Sequence, residues 1–249
     1  MKLFVDTANL NDIEQTLKRG FVSGITTNPS LLAKEPKGNF LLHAKKIIEL
    51  IRVHQPGIHL SVEVFSRNAD EILQQAREFR GALGYDKLSI KVQIGWDELE
   101  AISKLATDGF SVNCTCCMSI NQAVMAAGAG AKYVSLFWGR IRDGGSPDAE
   151  KQPVLFATKS EAVKEGALTG SDFDPAWVVS ETRKLFDASY PGVQIIAGSI
   201  RKATDIRDAA LAGAHIVTVP PKFFPQMIKH FKTDEVVTQF LKDFENWMK

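Results

Sequence analysis

Short apolar runs alternate with stretches of helical periodicity from one end of the chain to the other. Eight runs, at 3–6, 22–26, 59–64, 87–91, 111–115, 133–137, 193–197 and 215–218, are rich in Val, Ile, Leu or Phe. Runs this short with no strict apolar–polar alternation suit strands buried on both faces. Between them apolar residues recur every three or four positions. Residues 69–80 bring Ile72, Leu73, Ala76 and Phe79 to one face, and 97–105 do the same with Leu99, Ile102 and Leu105. Residues 121–130 form an Ala-rich helix suited to close approach, and 205–212 a further helix stopped by Gly213.

Strand–helix repetition predicts a parallel α/β sheet, and eight units in about 220 residues predict closure into a (β/α)8 TIM barrel. An open doubly wound sheet is the alternative, but no G-x-G-x-x-G follows a strand. The expectation is one barrel domain over 1–220, with a helical extension over 221–249. Residues 143–172 break the rhythm after the sixth run and read as an insertion with a helical pattern near Ser160–Glu165. Such a segment serves as a lid over the barrel mouth or as a contact between subunits. The tail holds two helical patterns ending in Phe240, Phe244 and Trp247, as a helix docked on a neighbouring subunit would.

Composition changes this picture little. Lys plus Arg (30) balance Asp plus Glu (29), so no overall field recruits nucleic acid or a charged membrane, and any anion site must be local. The three cysteines, Cys114, Cys116 and Cys117, are too few and too close to staple a secreted fold. They have no nearby histidine to complete a metal site and read as buried strand-end residues. No signal peptide or membrane-length apolar run is visible, so a cytoplasmic location is expected.

Barrels gather their chemistry at the C-terminal ends of their strands. Those ends carry Asp6, Thr26 to Asn28, Glu63, Lys91, Asn113 and Thr115, Ser135 followed by Arg140, and Ser199 with Arg201. A barrel with only a structural role would not need this set. Lys91 stands in a buried run, where desolvation favours a neutral, nucleophilic amine. The competing reading is a buried ion pair with Glu63 or Asp6. The two carboxylates can move protons and activate a water. Ser199, Arg201 and Arg140 suit a phosphate, although Arg140 could equally pair with Asp143. The five histidines fall on helices, in loops or at strand starts, where surface or core roles are expected.

With these residues in place, the chain resembles the transaldolase family, which includes small microbial transaldolases and fructose-6-phosphate aldolases. The matching stretches are FVDTAN (4–9), GITTNPSLL (24–32), SVEV (61–64), SIKV (89–92), VNCT (112–115) with Gln122-Ala123, YVSLFWGRIRD (133–143) and AGSIRK (197–202). They span nearly the whole chain in the family's order. The resemblance implies that Lys91 forms a Schiff base with a ketose donor. It implies that Glu63 and Thr115 hold a catalytic water, and that Asp6 takes the C4 hydroxyl proton. Asn28 and Asn113 would bind the dihydroxyacetone unit in a pocket lined by Thr26, Ser135 and Phe137, with the phosphate on Arg140, Ser199 and Arg201. No metal or other cofactor is implied, because the protonated imine is the electron sink.

Glu63 and Phe137 match the transaldolases, whereas the aldolases carry glutamine and tyrosine there. The implied role is transfer of a dihydroxyacetone unit between sugar phosphates, in carbohydrate metabolism of the pentose phosphate type. A fructose-6-phosphate aldolase, a transaldolase for a sulfonated ketose and a non-catalytic phosphosugar-binding barrel are the alternatives. The tail resembles the swapped C-terminal helix of small members that assemble as pentamers or decamers. Three features depart from the family pattern: Gln93 where a proline usually follows Lys-Val, the Cys116-Cys117-Met118 stretch, and the long 143–172 segment.

Overall fold

The apolar runs become strands because both of their faces are buried. The computed structural model describes residues 1–151 and 158–249. Its strands are β1 (Lys2–Asp6), β2 (Gly24–Thr26), β3 (His59–Glu63), β4 (Leu88–Gln93), β5 (Val112–Cys117), β6 (Tyr133–Phe137), β7 (Gln194–Gly198) and β8 (Ile216–Val219). Neighbours in sequence pair in parallel, and β8 returns to pair with β1, closing the barrel. Each expected run holds one strand, with ends shifted by no more than two residues.

The helices are α1 (Leu10–Leu17), α2 (Pro29–Leu32), α3 (Phe40–His54), α4 (Ala69–Leu83), α5 (Trp96–Thr107) and α6 (Ile120–Gly128). They continue as α7 (Trp138–Gly144), α8 (Lys159–Lys164), α9 (Pro175–Ser189), α10 (Ala203–Leu211), α11 (Phe224–Met227) and α12 (Phe231–Met248). The four predicted helices appear as α4, α5, α6 and α10, and Gly213 just beyond α10 takes φ +96°, as its stop role requires. Helices α1, α3 and α9 were not singled out by their apolar spacing. Each starts on a side-chain cap: Asn9, Asn39 and Asp174 accept a backbone N–H of the first turn.

Alternation along the strands separates two interiors. Outward residues such as Val5, Ile25, Val62, Ile90 and Val134 pack against the helices in the main core. Inward residues form a small apolar floor of Phe4, Ile196 and Ile216, with Tyr133 packed against it. Above the floor the inward positions are polar and buried: Thr26, Ser61, Ser89, Asn113, Ser135 and Thr218. One strand is irregular. The pairing of β5 with β6 shifts register between Cys114 and Cys117, and Cys116 adopts φ +61°. Cys114 and Cys117 are buried and Cys116 is half-buried, all as free thiols.

Of the 143–172 insertion, residues 152–157 lie outside the described residues. The rest contains a 3-10 turn at Pro147–Lys151 and the predicted short helix, now α8. Lys159 Nζ donates to Gly145 O at 3.3 Å and lies 4.9 Å from the Phe173 ring, tying α8 back to the end of α7. The tail differs from the barrel in kind. Every residue of α12 is exposed, including Phe240, Phe244 and Trp247. No described helix is long and apolar enough to cross a membrane.

Candidate active site

Strand register puts Glu63 beside Lys91 and Lys91 beside Asn113. Lys91 is only 4% exposed. Its Nζ lies 2.9 Å from Glu63 Oε2 and donates to Thr27 O at 2.9 Å. A lysine this deep is tolerated because an ion pair and a carbonyl replace its water. Of the two partners foreseen for a buried pair, the geometry selects Glu63.

Asp6 stands across the same end of the barrel. Thr26 Oγ1 donates to Asp6 Oδ1 at 2.7 Å and lies 2.6 Å from Thr218 Oγ1. Since the Thr26 proton goes to Asp6, Thr218 is the donor in the second contact, which makes a two-hydroxyl relay ending on the carboxylate. Burial pushes the Asp6 carboxyl above its ordinary value; Lys91 and the Thr26 bond oppose the rise without cancelling it, and Glu63 adds to it. A carboxyl moved toward neutrality in this way is fitted to exchange protons.

The inward residues of β5 and β6 complete the pocket. Ser135 Oγ donates to Asn113 Oδ1 at 2.8 Å, and Asn113 Nδ2 donates to Ser61 Oγ at 3.2 Å. Asn28 caps α2 by accepting from Leu31 N at 3.0 Å, which engages its oxygen and leaves its NH2 group for a ligand. Thr115 is fully buried, yet its Oγ1 makes no hydrogen bond of normal geometry among the described residues. The Cys116 thiol is its neighbour, pushed up in pKa by burial and by Glu63. Phe137, half-buried at the end of β6, packs near Gly198.

At the far side of the mouth the loop after β7 is locked in place. Ser199 takes φ +57°, and Arg201 N and Lys202 N both donate to Asp205 Oδ2, at 3.0 and 3.1 Å. Burial alone would push the Asp205 carboxyl up, but its bonds to Arg142 and these amides win and hold it below the usual carboxylate value. Arg142 Nη1 reaches Asp205 Oδ1 at 2.8 Å. Gly139 N donates to Ser199 O at 3.1 Å, and a Cβ on Gly139 would collide with Ser199 O and the Arg201 side chain. Helix α7 and the β7–α10 loop therefore meet through a contact only glycine permits.

The Arg140–Asp143 ion pair weighed from the sequence does not form. Asp143 is taken by Arg201, at 3.2 Å between exposed groups, while Arg140 is exposed with no ion-pair partner among the described residues. Sequence reasoning also missed Arg142, Asp205 and Gly139, which hold the loop. It missed Lys34 as well, which faces Asp6 electrostatically and lines the same groove as Asp6, Asn9 and Arg201. That groove, of about 1240 Å³, opens over α1 and α2. The pattern T-T-N-P-S-L-L-A-K carried the only signal for Lys34, and local spacing does not reveal where it points.

The family model for "Transaldolase/Fructose-6-phosphate aldolase" matches residues 3–249. The chain belongs to this family. A "Probable transaldolase" of Symbiobacterium thermophilum is 37% identical over 245 residues, covering 98% of this chain and 97% of that one. A "Probable transaldolase" of Alkaliphilus metalliredigens is 36% identical over the full length of both, and one of Thermoplasma volcanium is 34% identical over 245 residues, covering 98% of this chain and 96% of that one.

Among transaldolase-family residues, the departure at Gln93 has a structural counterpart. Gln93 Nε2 donates to Ser66 O at 2.7 Å and reaches Glu98 Oε1 at 3.4 Å, the oxygen that Arg67 Nε holds at 2.9 Å. Here an amide side chain ties the loop after β3 to α5, a link no proline could make.

Proposed function

We propose that this chain is a class I transaldolase that moves a dihydroxyacetone unit from a ketose phosphate to an aldehyde acceptor through a Schiff base on Lys91. The observation that carries the reading is the buried Lys91 Nζ, held 2.9 Å from Glu63 at the end of the barrel where Asp6 and Thr115 also converge. Glu63 accepts a proton from Lys91, and the neutral amine attacks the donor carbonyl carbon. A water held between Glu63 and Thr115 carries protons as the carbinolamine loses water to give the imine. Asp6 removes the C4 hydroxyl proton, the C3–C4 bond breaks, and the aldehyde product leaves. The electron pair is held as the enamine of Lys91. An acceptor aldehyde then takes up that pair, Asp6 returns the proton to the new hydroxyl, and water releases the new ketose.

In this reading Asn113 and the NH2 group of Asn28 hold the hydroxyls of the three-carbon unit, in a pocket walled by Thr26, Ser135 and Phe137. Ser199, Arg201 and Arg140 hold the phosphate. A second reading is an aldolase that releases free dihydroxyacetone. Glu63 and Phe137 favour transfer, since a phenyl ring has no hydroxyl to protonate the bound carbanion. The exposed apolar face of α12 supports assembly with further copies of this chain, as a pentamer or decamer, and light scattering after chromatography reads that directly. The expected setting is cytoplasmic pentose phosphate metabolism.

The test is mass spectrometry after mixing the protein with fructose 6-phosphate and borohydride, without an acceptor. A reduced three-carbon adduct on Lys91 supports the transaldolase reading. Steady turnover of donor without acceptor shifts it to the aldolase. Labelling only by a sulfonated ketose replaces the phosphate donor with that one, and no adduct from either donor leaves the non-catalytic phosphosugar-binding barrel.

A further inference from the structure

A second line of hydrogen bonds crosses the barrel interior and leads away from the site. It begins at Ser135 and Asn113, passes to Ser61 on β3, and ends on the floor, where His59 Nε2 lies 2.6 Å from Ser61 Oγ. His59, Ser61 and Glu63 are alternate residues of one strand, so the same β3 face holds the imidazole at the bottom and the Lys91 partner at the top.

We propose that His59 is a positioning residue for the transfer reaction: through Ser61 it fixes which end of the Asn113 amide faces the donor hydroxyls. The inference rests on the reading of Asn113 as a ligand of the dihydroxyacetone unit.

An asparagine amide can sit in two orientations of nearly equal shape, and its partners decide between them. Ser135 supplies a donor to Oδ1, and Ser61 supplies an acceptor to Nδ2. Ser61 could instead turn its own proton toward Asn113, which would favour the opposite orientation. In this proposal its proton goes to His59 instead. Among the described residues Ser61 Oγ has only two partners, Asn113 Nδ2 and His59 Nε2. With Nε2 as acceptor, every proton in the line has one destination.

Two features leave Nε2 able to take that role. The ring is clamped, stacked 5.0 Å from Phe4 and edge-on to Tyr133 at 4.8 Å, so the nitrogen cannot swing away. It is also held neutral, because burial and the nearby Lys132 and Lys2 push its pKa down to about 3. A neutral imidazole with Nε2 accepting carries its proton on Nδ1.

Kinetics of the full-length protein test the proposal, with fructose 6-phosphate as donor and erythrose 4-phosphate as acceptor. His59→Phe keeps the ring and removes the acceptor. The expected result is a donor KM raised about tenfold, with acceptor KM changed less than about threefold. His59→Gln, whose amide oxygen can accept from Ser61, restores donor KM to within about threefold. His59→Phe costs nothing further in an Asn113→Ala background, because both act through one amide. Additive losses in the double variant, a wild-type donor KM in His59→Phe, or no rescue by His59→Gln each overturn the proposal.

An activity-independent readout separates this from a failure of the Asn113 reading. Imidazole 15N shifts of the wild-type protein should show Nδ1 protonated and Nε2 bare, with the Nε2 shift moving in Ser61→Ala. A protonated Nε2, or no response to Ser61→Ala, refutes the positioning line itself. If those shifts hold while Asn113→Ala keeps its donor KM, the substrate role of Asn113 is what fails, and with it the effect of His59 on the reaction.

Discussion

The two ends of the barrel interior are made by the same strands and surround their titratable groups with different partners. At the mouth, Lys91 and Glu63 form a buried pair and Asp6 receives a hydroxyl relay. At the floor, His59 is clamped between Phe4 and Tyr133 and neutralised, with its pKa at about 3. Burial is common to both, so it does not by itself make a reactive group. What differs is the partner. At the mouth an oppositely charged side chain and polar groups stand where water would, whereas the floor presents aromatic rings and lysines of like charge, which drive the imidazole proton off.

The sharpest way to break the comparison is to remove the mouth's cation. Lys91→Met should abolish transfer, by about 10⁴-fold or more, and leave no borohydride adduct. Retained transfer would assign the nucleophile elsewhere. Asp6→Asn comes next, with turnover lowered about 10²–10⁴-fold.

Asp6→Asn also has a stability signature whose sign is fixed by the direction of its shift. The folded value lies above the ordinary 3.8. The folded protein therefore binds this proton more tightly, and the stability Asp6 contributes falls as pH rises through the raised value. Above the raised value the charged carboxylate is a cost that Asp6→Asn removes, so thermal unfolding should shift upward there. The gain should shrink as pH is lowered toward 3.8, and a gain that grows on acidification contradicts the assignment.

Thr115→Val separates function from fold. Its hydroxyl is buried and makes no hydrogen bond of normal geometry among the described residues, so the methyl replacement should change stability by less than about 1 kcal/mol. Turnover should fall about 10²-fold if that hydroxyl holds the catalytic water. Gly139→Ala acts on the loop instead. Its new Cβ meets Ser199 O and Arg201, so unfolding should cost about 1–3 kcal/mol less and the donor KM should rise. An unchanged KM would detach this loop from phosphate binding.

At neutral pH the smallest effect belongs to the floor. His59 is depressed from 6.5 to about 3, so its contribution to stability is full above 6.5 and is lost as pH falls toward 3. His59→Gln should flatten the pH dependence of denaturant unfolding over that window while leaving the neutral-pH value little changed.

Much of this was legible beforehand because it depends on local order. Eight buried runs gave eight strands, and Lys91, Glu63, Asn113 and Thr115, picked out at their C-terminal ends, take inward positions in the barrel. The same runs gave the mouth its chemistry, since strand direction alone puts their C-terminal residues there. Helices α1, α2, α3, α7 and α9 are not predicted from apolar spacing, although Asn9, Asn28, Asn39 and Asp174 cap the starts of four of them.

Partner choice was not legible. Glu63 rather than Asp6 pairs with Lys91, Arg201 rather than Arg140 takes Asp143, Arg142 closes on Asp205, and His59 reaches Asn113 through Ser61. The sequence by itself determined which side chains face inward and at which end, because alternation and strand direction are properties of a single strand. Only the tertiary structure decided which of them touch. Their contacts join strands and helices far apart in sequence, and closure of β8 on β1 fixes the stagger between them in a way no local spacing encodes.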